Sequence, residues 1–167
     1  TPYTAYFDTP LFIVGTPKSK RVFTELDILF AKLLATGEGI QIKYRENIAD
    51  LSLYQDEQVI ELILTHLIHN AIKYSPENSV IHIDIEQNDE LTTIKIIDNG
   101  IGIPLKDQKN VFERYFRSEN VINTEGTGIG LNIVKNHLDY LGGSISFKSE
   151  ENVGSTFTVS IPNINQK

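Results

Sequence analysis

The spacing of apolar residues along the chain predicts three helices and a set of short strands. From Glu25 to about Thr36, Leu26, Ile28, Leu29, Phe30, Leu33 and Leu34 suit a buried helix, which Gly37 and Gly39 stop. A longer helix is expected from about Asp56 to Tyr74, with Ile60, Leu64, Leu67 and Ala71 on its apolar face. Asp56 is its candidate N-cap, and Pro76 bars continuation. A third helix is predicted from Ile129 to Leu141, ending at Gly142-Gly143. Strands are expected at Ile40–Tyr44, Leu51–Tyr54, Val80–Glu86, Thr92–Asp98, Ser144–Lys148 and Thr156–Ile161, with Asn88-Asp89-Glu90 as a polar turn. Pro2, Pro10, Gly15 and Pro17 punctuate residues 1–22, which read as a linker or accessory segment holding one short strand at Leu11–Val14. Residues 23–162 then form the main domain and 163–167 a tail. The order of elements implies an α+β fold: a two-layer α/β sandwich whose mixed sheet is covered on one face by about three helices.

Composition narrows the possibilities without naming a chemistry. A chain of 167 residues fits one domain, and a domain of that size buries roughly 70% of its unfolded surface without staples. No apolar run approaches the roughly 20 residues that cross a bilayer, and no signal-peptide pattern opens the chain. Cysteine is absent, which excludes disulfides and thiolate metal sites. A net charge of −7 argues against a nucleic-acid surface. An acidic chain that holds a polyanion must do so through backbone N–H groups, a few lysines or arginines, and a metal. The chain starts at Thr1 and contains no methionine, so it reads as part of a longer protein.

Four segments carry candidate chemistry. In HLIHNAIKYSP, residues 66–76, His66, Asn70, Lys73 and Tyr74 share one helical face. An Asn carbonyl can ligate Mg²⁺, Lys meets phosphate as a point charge, and a Tyr ring can cover a base. A solvated face fits the same residues equally well. In DNGIGIP, residues 98–104, an acid at a strand end precedes glycines that permit close approach of a ligand. A tight turn is the commoner meaning of such a stretch. In EGTGIGL, residues 125–131, glycines lead into a helix start, where backbone N–H groups attract anions. This G-x-G-x-G loop is neither a dinucleotide fingerprint nor a Walker A motif. In VFERYFR, residues 111–117, Arg114 and Arg117 interleave with aromatics, which suits a lid that closes on phosphate. An amphipathic surface helix is the alternative.

Taken in order, these segments resemble the N, G1, F and G2 boxes of sensor histidine kinase catalytic domains, in the superfamily of GHKL ATPases and kinases. The tail GGSISFKSEENVGSTFTVSIP resembles that family's closing hairpin, and the likeness covers about residues 50–162. The resemblance implies a domain with a mobile ATP lid that binds ATP with Mg²⁺. Asn70 matches the metal ligand, with His66, Lys73 and Tyr74 beside it as nucleotide contacts. Asp98 matches the carboxylate that reads the adenine amine, with Gly100, Gly102 and Ile103 shaping that wall. Gly126, Thr127, Gly128, Gly130 and Leu131 match the phosphate-facing lid hinge. Arg114 and Arg117 match the basic positions of the F box, and Thr156 a position near the adenine edge. The implied catalytic set is Asn70, Lys73, Arg114 and Arg117.

Two departures from the family pattern stand out. His66 occupies a position where the family often has a second Asn, which implies altered metal geometry. None of His66, His69, His82 or His137 stands in the context of a phosphoacceptor histidine. The implied partners are therefore a phosphoacceptor and dimerisation helical domain of the same full-length protein and a downstream response regulator, with no nucleic acid and no membrane contact by this domain. Use of ATP implies a cytoplasmic location, even where the full-length protein is membrane-anchored. The alternatives are a non-catalytic nucleotide-binding or docking module, and another ATPase of the superfamily. Among the latter, the topoisomerase and mismatch-repair pattern places a Glu where this chain has His66.

Overall fold

A computed structural model describes residues 12–14, 39–46 and 52–163. The strands are β1 (Phe12–Val14), β2 (Gln41–Glu46), β3 (Ser52–Tyr54), β4 (Val80–Gln87), β5 (Leu91–Asp98), β6 (Ser144–Glu150) and β7 (Gly154–Pro162). The helices are α1 (Glu57–Tyr74) and α2 (Gly130–Leu141). The helix expected over Glu25–Thr36 lies outside the described residues. So do residues 164–167 of the expected tail.

Five strands form one open sheet in the order β2-β4-β5-β7-β6. β2 runs parallel to β4, and every other pair is antiparallel, so the sheet is mixed. β1 and β3 form a separate parallel pair. Alternation in VIHIDIEQ and LTTIKIID sends Ile81, Ile83, Ile85, Ile94 and Ile96 to one face, where they are buried. Register lines these residues up across the strands: Ile83 faces Ile96, Ile96 faces Phe157, and Phe157 faces Phe147.

Both helices cover that face and pack on each other. α1 is buried well beyond the predicted stripe, because Ile63, Ile68 and Ile72 join Ile60, Leu64, Leu67 and Ala71 in the core. Asp56 caps it as expected, its Oδ1 accepting from the N–H groups of Gln58 (3.1 Å) and Val59 (3.2 Å). α2 stops at Gly142, which takes the left-handed conformation (φ 72°) while Gly143 N–H bonds Leu138 O at 2.7 Å. At the far end of the sheet, Asn163 Oδ1 accepts from the buried Thr92 hydroxyl at 2.6 Å and Asn163 N–H donates to Glu90 O at 2.8 Å, which clasps the end of the described chain to β5.

Candidate nucleotide-binding site

The site begins where α1 ends. Pro76 stops the helix after Tyr74, and Tyr74 O accepts from Ile101 N–H at 3.1 Å, so the glycine loop after β5 docks on the helix end. Asp98, the last residue of β5, falls on the buried face by strand parity and is only 8% exposed. Its Oδ1 accepts two backbone N–H groups, from Gly100 at 2.8 Å and Ser155 at 3.2 Å. Burial raises the Asp98 carboxyl above the ordinary carboxylate range, and the two N–H bonds pull the other way. Gly102 takes φ 63°, and a Cβ there would sit 2.0 Å from Glu150 O. Only glycine lets the β6–β7 turn close on this loop, which it does through Asn152 N–H to Ile101 O at 2.7 Å.

The opposite wall is residues 105–129 and the start of α2. VFERYFR is not a helix: Tyr115 adopts φ 66°, a left-handed turn costing about 1–2 kcal/mol for a residue with a Cβ. Its N–H bonds Gly128 O at 2.9 Å. Gly128 itself has φ 70°, and a Cβ on it would lie 2.6 Å from Phe116 O, so the two loops close only around glycine. Phe112 packs edge-on against Phe147 at 5.7 Å, and Phe147 stacks on Phe157, which fastens this segment to the sheet. Asp107 adds a polar tie, its Oδ2 accepting from Ser118 Oγ at 2.6 Å and Glu119 N–H at 3.0 Å, and these bonds hold its carboxyl below the usual range.

Between the walls lies a cavity of about 780 Å³, within the range of small-molecule sites. Asp98, Ser155 and Ile103 line one part, and Gly126, Thr127, Gly128, Gly130 and Leu131 another. His66, Asn70, Lys73 and Tyr74 run along the α1 wall between them, with Gly102 and Arg117 also contributing. α2 opens with no side chain capping its first N–H groups, which leaves them available to an anion. Lys73 Nζ donates to the Glu125 carbonyl and lies 5.1 Å from the Tyr74 ring centroid. Arg117 Nη2 donates to the carbonyls of Val121 (2.5 Å) and Thr124. The His66 ring faces α2, where a Cβ on Gly130 would come within 3.3 Å of Nδ1. Burial lowers the pKa of His66 below its ordinary value, with His69 and His137 adding to the effect, so the ring is neutral at pH 7.

Three residues expected in the site are not on the cavity wall. Thr156 lies on the outer face of the sheet, because β7 buries Ser155, Phe157, Val159 and Ile161 by alternation. Ser155 takes its place, and its hydroxyl pairs with Ser149 Oγ at 2.8 Å. Strand parity read back from Phe157 was the signal for it. Arg114 is exposed, with its guanidinium 4.9 Å from the Tyr115 ring centroid. The left-handed turn at Tyr115 separates it from Arg117. Gly100 stands behind the wall and acts through its N–H to Asp98. Sequence reasoning also missed Asn120, whose Nδ2 donates to Gly102 O at 3.0 Å and ties the lid to the glycine loop.

A mixed five-stranded sheet under two helices, with a glycine-lined cavity at the helix ends, is the α+β sandwich of histidine kinase catalytic domains. Residues 55–165 match the family described as histidine kinase-, DNA gyrase B- and HSP90-like ATPase, and the chain belongs to that family. Its relatives include sensor histidine kinases. It is 38% identical over 127 residues to sensor histidine kinase WalK of Bacillus subtilis, covering 72% of this chain and 21% of that protein. It is 35% identical over 133 residues to sensor-like histidine kinase SenX3 of Mycobacterium tuberculosis, covering 78% and 32%. The chain thus spans between a fifth and a third of the length of these relatives. The nucleotide-free catalytic domain of histidine kinase ThkA superposes with a TM-score of 0.71 at 28% identity, over 83% of this chain and 88% of that one. The mycobacterial sensor histidine kinase MprB, at 22% identity and a TM-score of 0.72 over 84% of this chain and 95% of that one, shares the fold. No helix among the described residues is long and apolar enough to cross a membrane.

Proposed function

We propose that this domain binds ATP with Mg²⁺ in the cavity and donates the γ-phosphate to a histidine on a separate helical phosphoacceptor domain of the same protein. A response regulator then takes the phosphoryl group onward, and the reaction is cytoplasmic. The observation that carries this reading is Asp98, a carboxylate buried in the wall of the same cavity that receives the uncapped start of α2. A desolvated carboxylate favours an exocyclic amine such as that of adenine. Guanine would present a carbonyl oxygen there. The α2 start, with its positive dipole end, favours phosphate.

Asn70 offers an amide oxygen on the cavity wall for Mg²⁺. Among the described residues no group of three or more His, Asp or Glu could hold a metal, which fits an ion that arrives on the triphosphate rather than in a protein cage. Bound there, Mg²⁺ would neutralise charge on the phosphates. Lys73 and Arg117 exchange their lid carbonyls for phosphate oxygens, and Tyr74 covers the nucleotide beside them. The lid segment moves to admit and release nucleotide. The acceptor imidazole nitrogen forms a bond to the γ-phosphorus as the bond to the ADP oxygen breaks. Positioning and charge neutralisation supply most of the catalysis in such transfers.

Calorimetric titration of ATP with Mg²⁺ into the wild type and Asp98→Ala tests the reading, with GTP as control. A hydrogen bond to a charged group is worth roughly 1.5–3 kcal/mol, so Asp98→Ala should weaken ATP binding by about one to two decades. Equal affinity for ATP and GTP in the wild type would remove Asp98 from the adenine. ATP binding without transfer to any phosphoacceptor domain would leave a nucleotide-binding docking module.

A further inference from the structure

His66 and Asn70 stand one helical turn apart on the same cavity wall. The His66 ring lies so near Gly130 that an added Cβ would come within 3.3 Å of Nδ1, which places the imidazole beside the start of α2, the part of the cavity suited to phosphate. From this juxtaposition, and resting on the reading of the cavity as a site for ATP with a divalent ion, we infer that His66 is a metal-specificity residue. It raises the affinity of the nucleotide's cation site for a transition metal such as Co²⁺ or Mn²⁺ relative to Mg²⁺, which still serves there.

The argument is one of donor chemistry. Mg²⁺ binds oxygen donors and gives up its waters reluctantly. An imidazole nitrogen suits the later divalent ions, whose affinity for nitrogen rises along the first transition row. A wall with an amide oxygen and an imidazole nitrogen one turn apart therefore favours an ion that accepts both. The ring is half-buried on the cavity wall beside the start of α2. Phosphate oxygens and water would supply the remaining donors, since no group of three or more His, Asp or Glu among the described residues could hold a metal. His69 lines the same cavity and is exposed, whereas His137 is not on its wall.

The test compares ATP affinity in Mg²⁺ and in Co²⁺ for the wild type and His66→Asn, by titration calorimetry. We expect the Co²⁺-to-Mg²⁺ affinity ratio to fall by about tenfold in the variant, the loss of one nitrogen donor. An unchanged ratio would overturn the inference while leaving ATP binding intact. Failure of the wild type to bind ATP with either ion would sink the functional reading itself. Should His66→Asn not fold, pulsed electron paramagnetic resonance on the Mn²⁺–ATP complex of His69→Ala decides. Imidazole ¹⁴N coupling is expected from the one histidine left on the cavity wall, and its absence would refute the assignment.

Discussion

Helix α1 begins with its own anion, and helix α2 does not. Asp56 closes the first turn of α1 by accepting two of its N–H groups, at 3.1 and 3.2 Å. At the corresponding place on α2 stands Ile129, with no side-chain bond to the helix start. Both helices pack on the same sheet and on each other, so their different beginnings do not come from packing. The fold completes the hydrogen bonds at the helix start that is not on the cavity wall. It leaves open the helix whose start lines the cavity. An unsatisfied terminus beside a glycine-lined loop is thus where the proposed function seats the phosphates.

The most disruptive way to break this contrast is to give α2 the start that α1 has. Ile129→Asp places a carboxylate at the first turn, where a phosphate would otherwise lie. At about 4 Å and an effective dielectric near 20, two such charges repel by up to about 4 kcal/mol, so ATP affinity should fall by roughly a hundredfold or more. Thermal unfolding should change little, because the new N-cap offsets part of the burial that the isoleucine side chain supplied. Fluorescence titration with a nucleotide analogue would measure the first and calorimetric unfolding the second. Undiminished affinity would mean that the phosphates do not lie at this helix start.

Lys73 sharpens the comparison from the other wall. It is half-buried, and its ammonium already reaches across the cavity to the Glu125 carbonyl. Lys73→Ala should weaken ATP binding by about tenfold, in line with roughly 1.5 kcal/mol for a hydrogen bond from a charged donor. ADP should lose less if the lysine meets the terminal phosphates. Equal losses for ATP, ADP and AMP would move Lys73 away from the phosphates and toward the base.

How far the sequence foretold this arrangement depends on which rule each residue obeys. Strand parity set Asp98, Ile81, Ile83, Ile85, Ile94 and Ile96 inward, and the N-cap of α1 and the C-cap of α2 were readable residue by residue. Parity also decides between Ser155 and Thr156, yet a family motif read by position chose the neighbour on the outer face. One residue along a strand is the whole difference between cavity and solvent. The F box was opaque for another reason. Its turns depend on a left-handed Tyr115 held by Gly128, and on Phe112 against Phe147, contacts that bring together distant parts of the chain. No local pattern could have separated Arg114 from Arg117.

Asp56 supplies the converse of the α2 experiment. Asp56→Ala should cost about 1 kcal/mol, the usual worth of an N-cap, and lower the unfolding temperature by roughly 2–4 °C. ATP affinity should stay within error, because this end of α1 is remote from the cavity wall that its C-terminal half lines. A variant that unfolds at the wild-type temperature would show that water caps α1 as well as its own carboxylate does. The contrast between the two helices would then carry no energetic weight.

The smallest effect is a change of slope with pH, and its sign follows from Asp98. Burial raises its carboxyl above the ordinary aspartate value of 3.8 despite the N–H bonds from Gly100 and Ser155. Across the window from 3.8 up to the raised value, the folded state holds a proton that the unfolded chain has released. The stability tied to this proton is present below the window and lost as pH rises through it. Binding of an adenine amine needs the ionised carboxylate, so ATP affinity should rise over the same window. Denaturant unfolding of the wild type and Asp98→Asn, followed from pH 3.8 upward, would isolate the first trend, with the wild type losing stability relative to the variant as pH rises through the raised value. If the wild type instead gained stability relative to Asp98→Asn, the carboxylate would be better solvated or bonded in the fold than in water. The dry part of the cavity, on which the proposed discrimination between adenine and guanine rests, would then not exist.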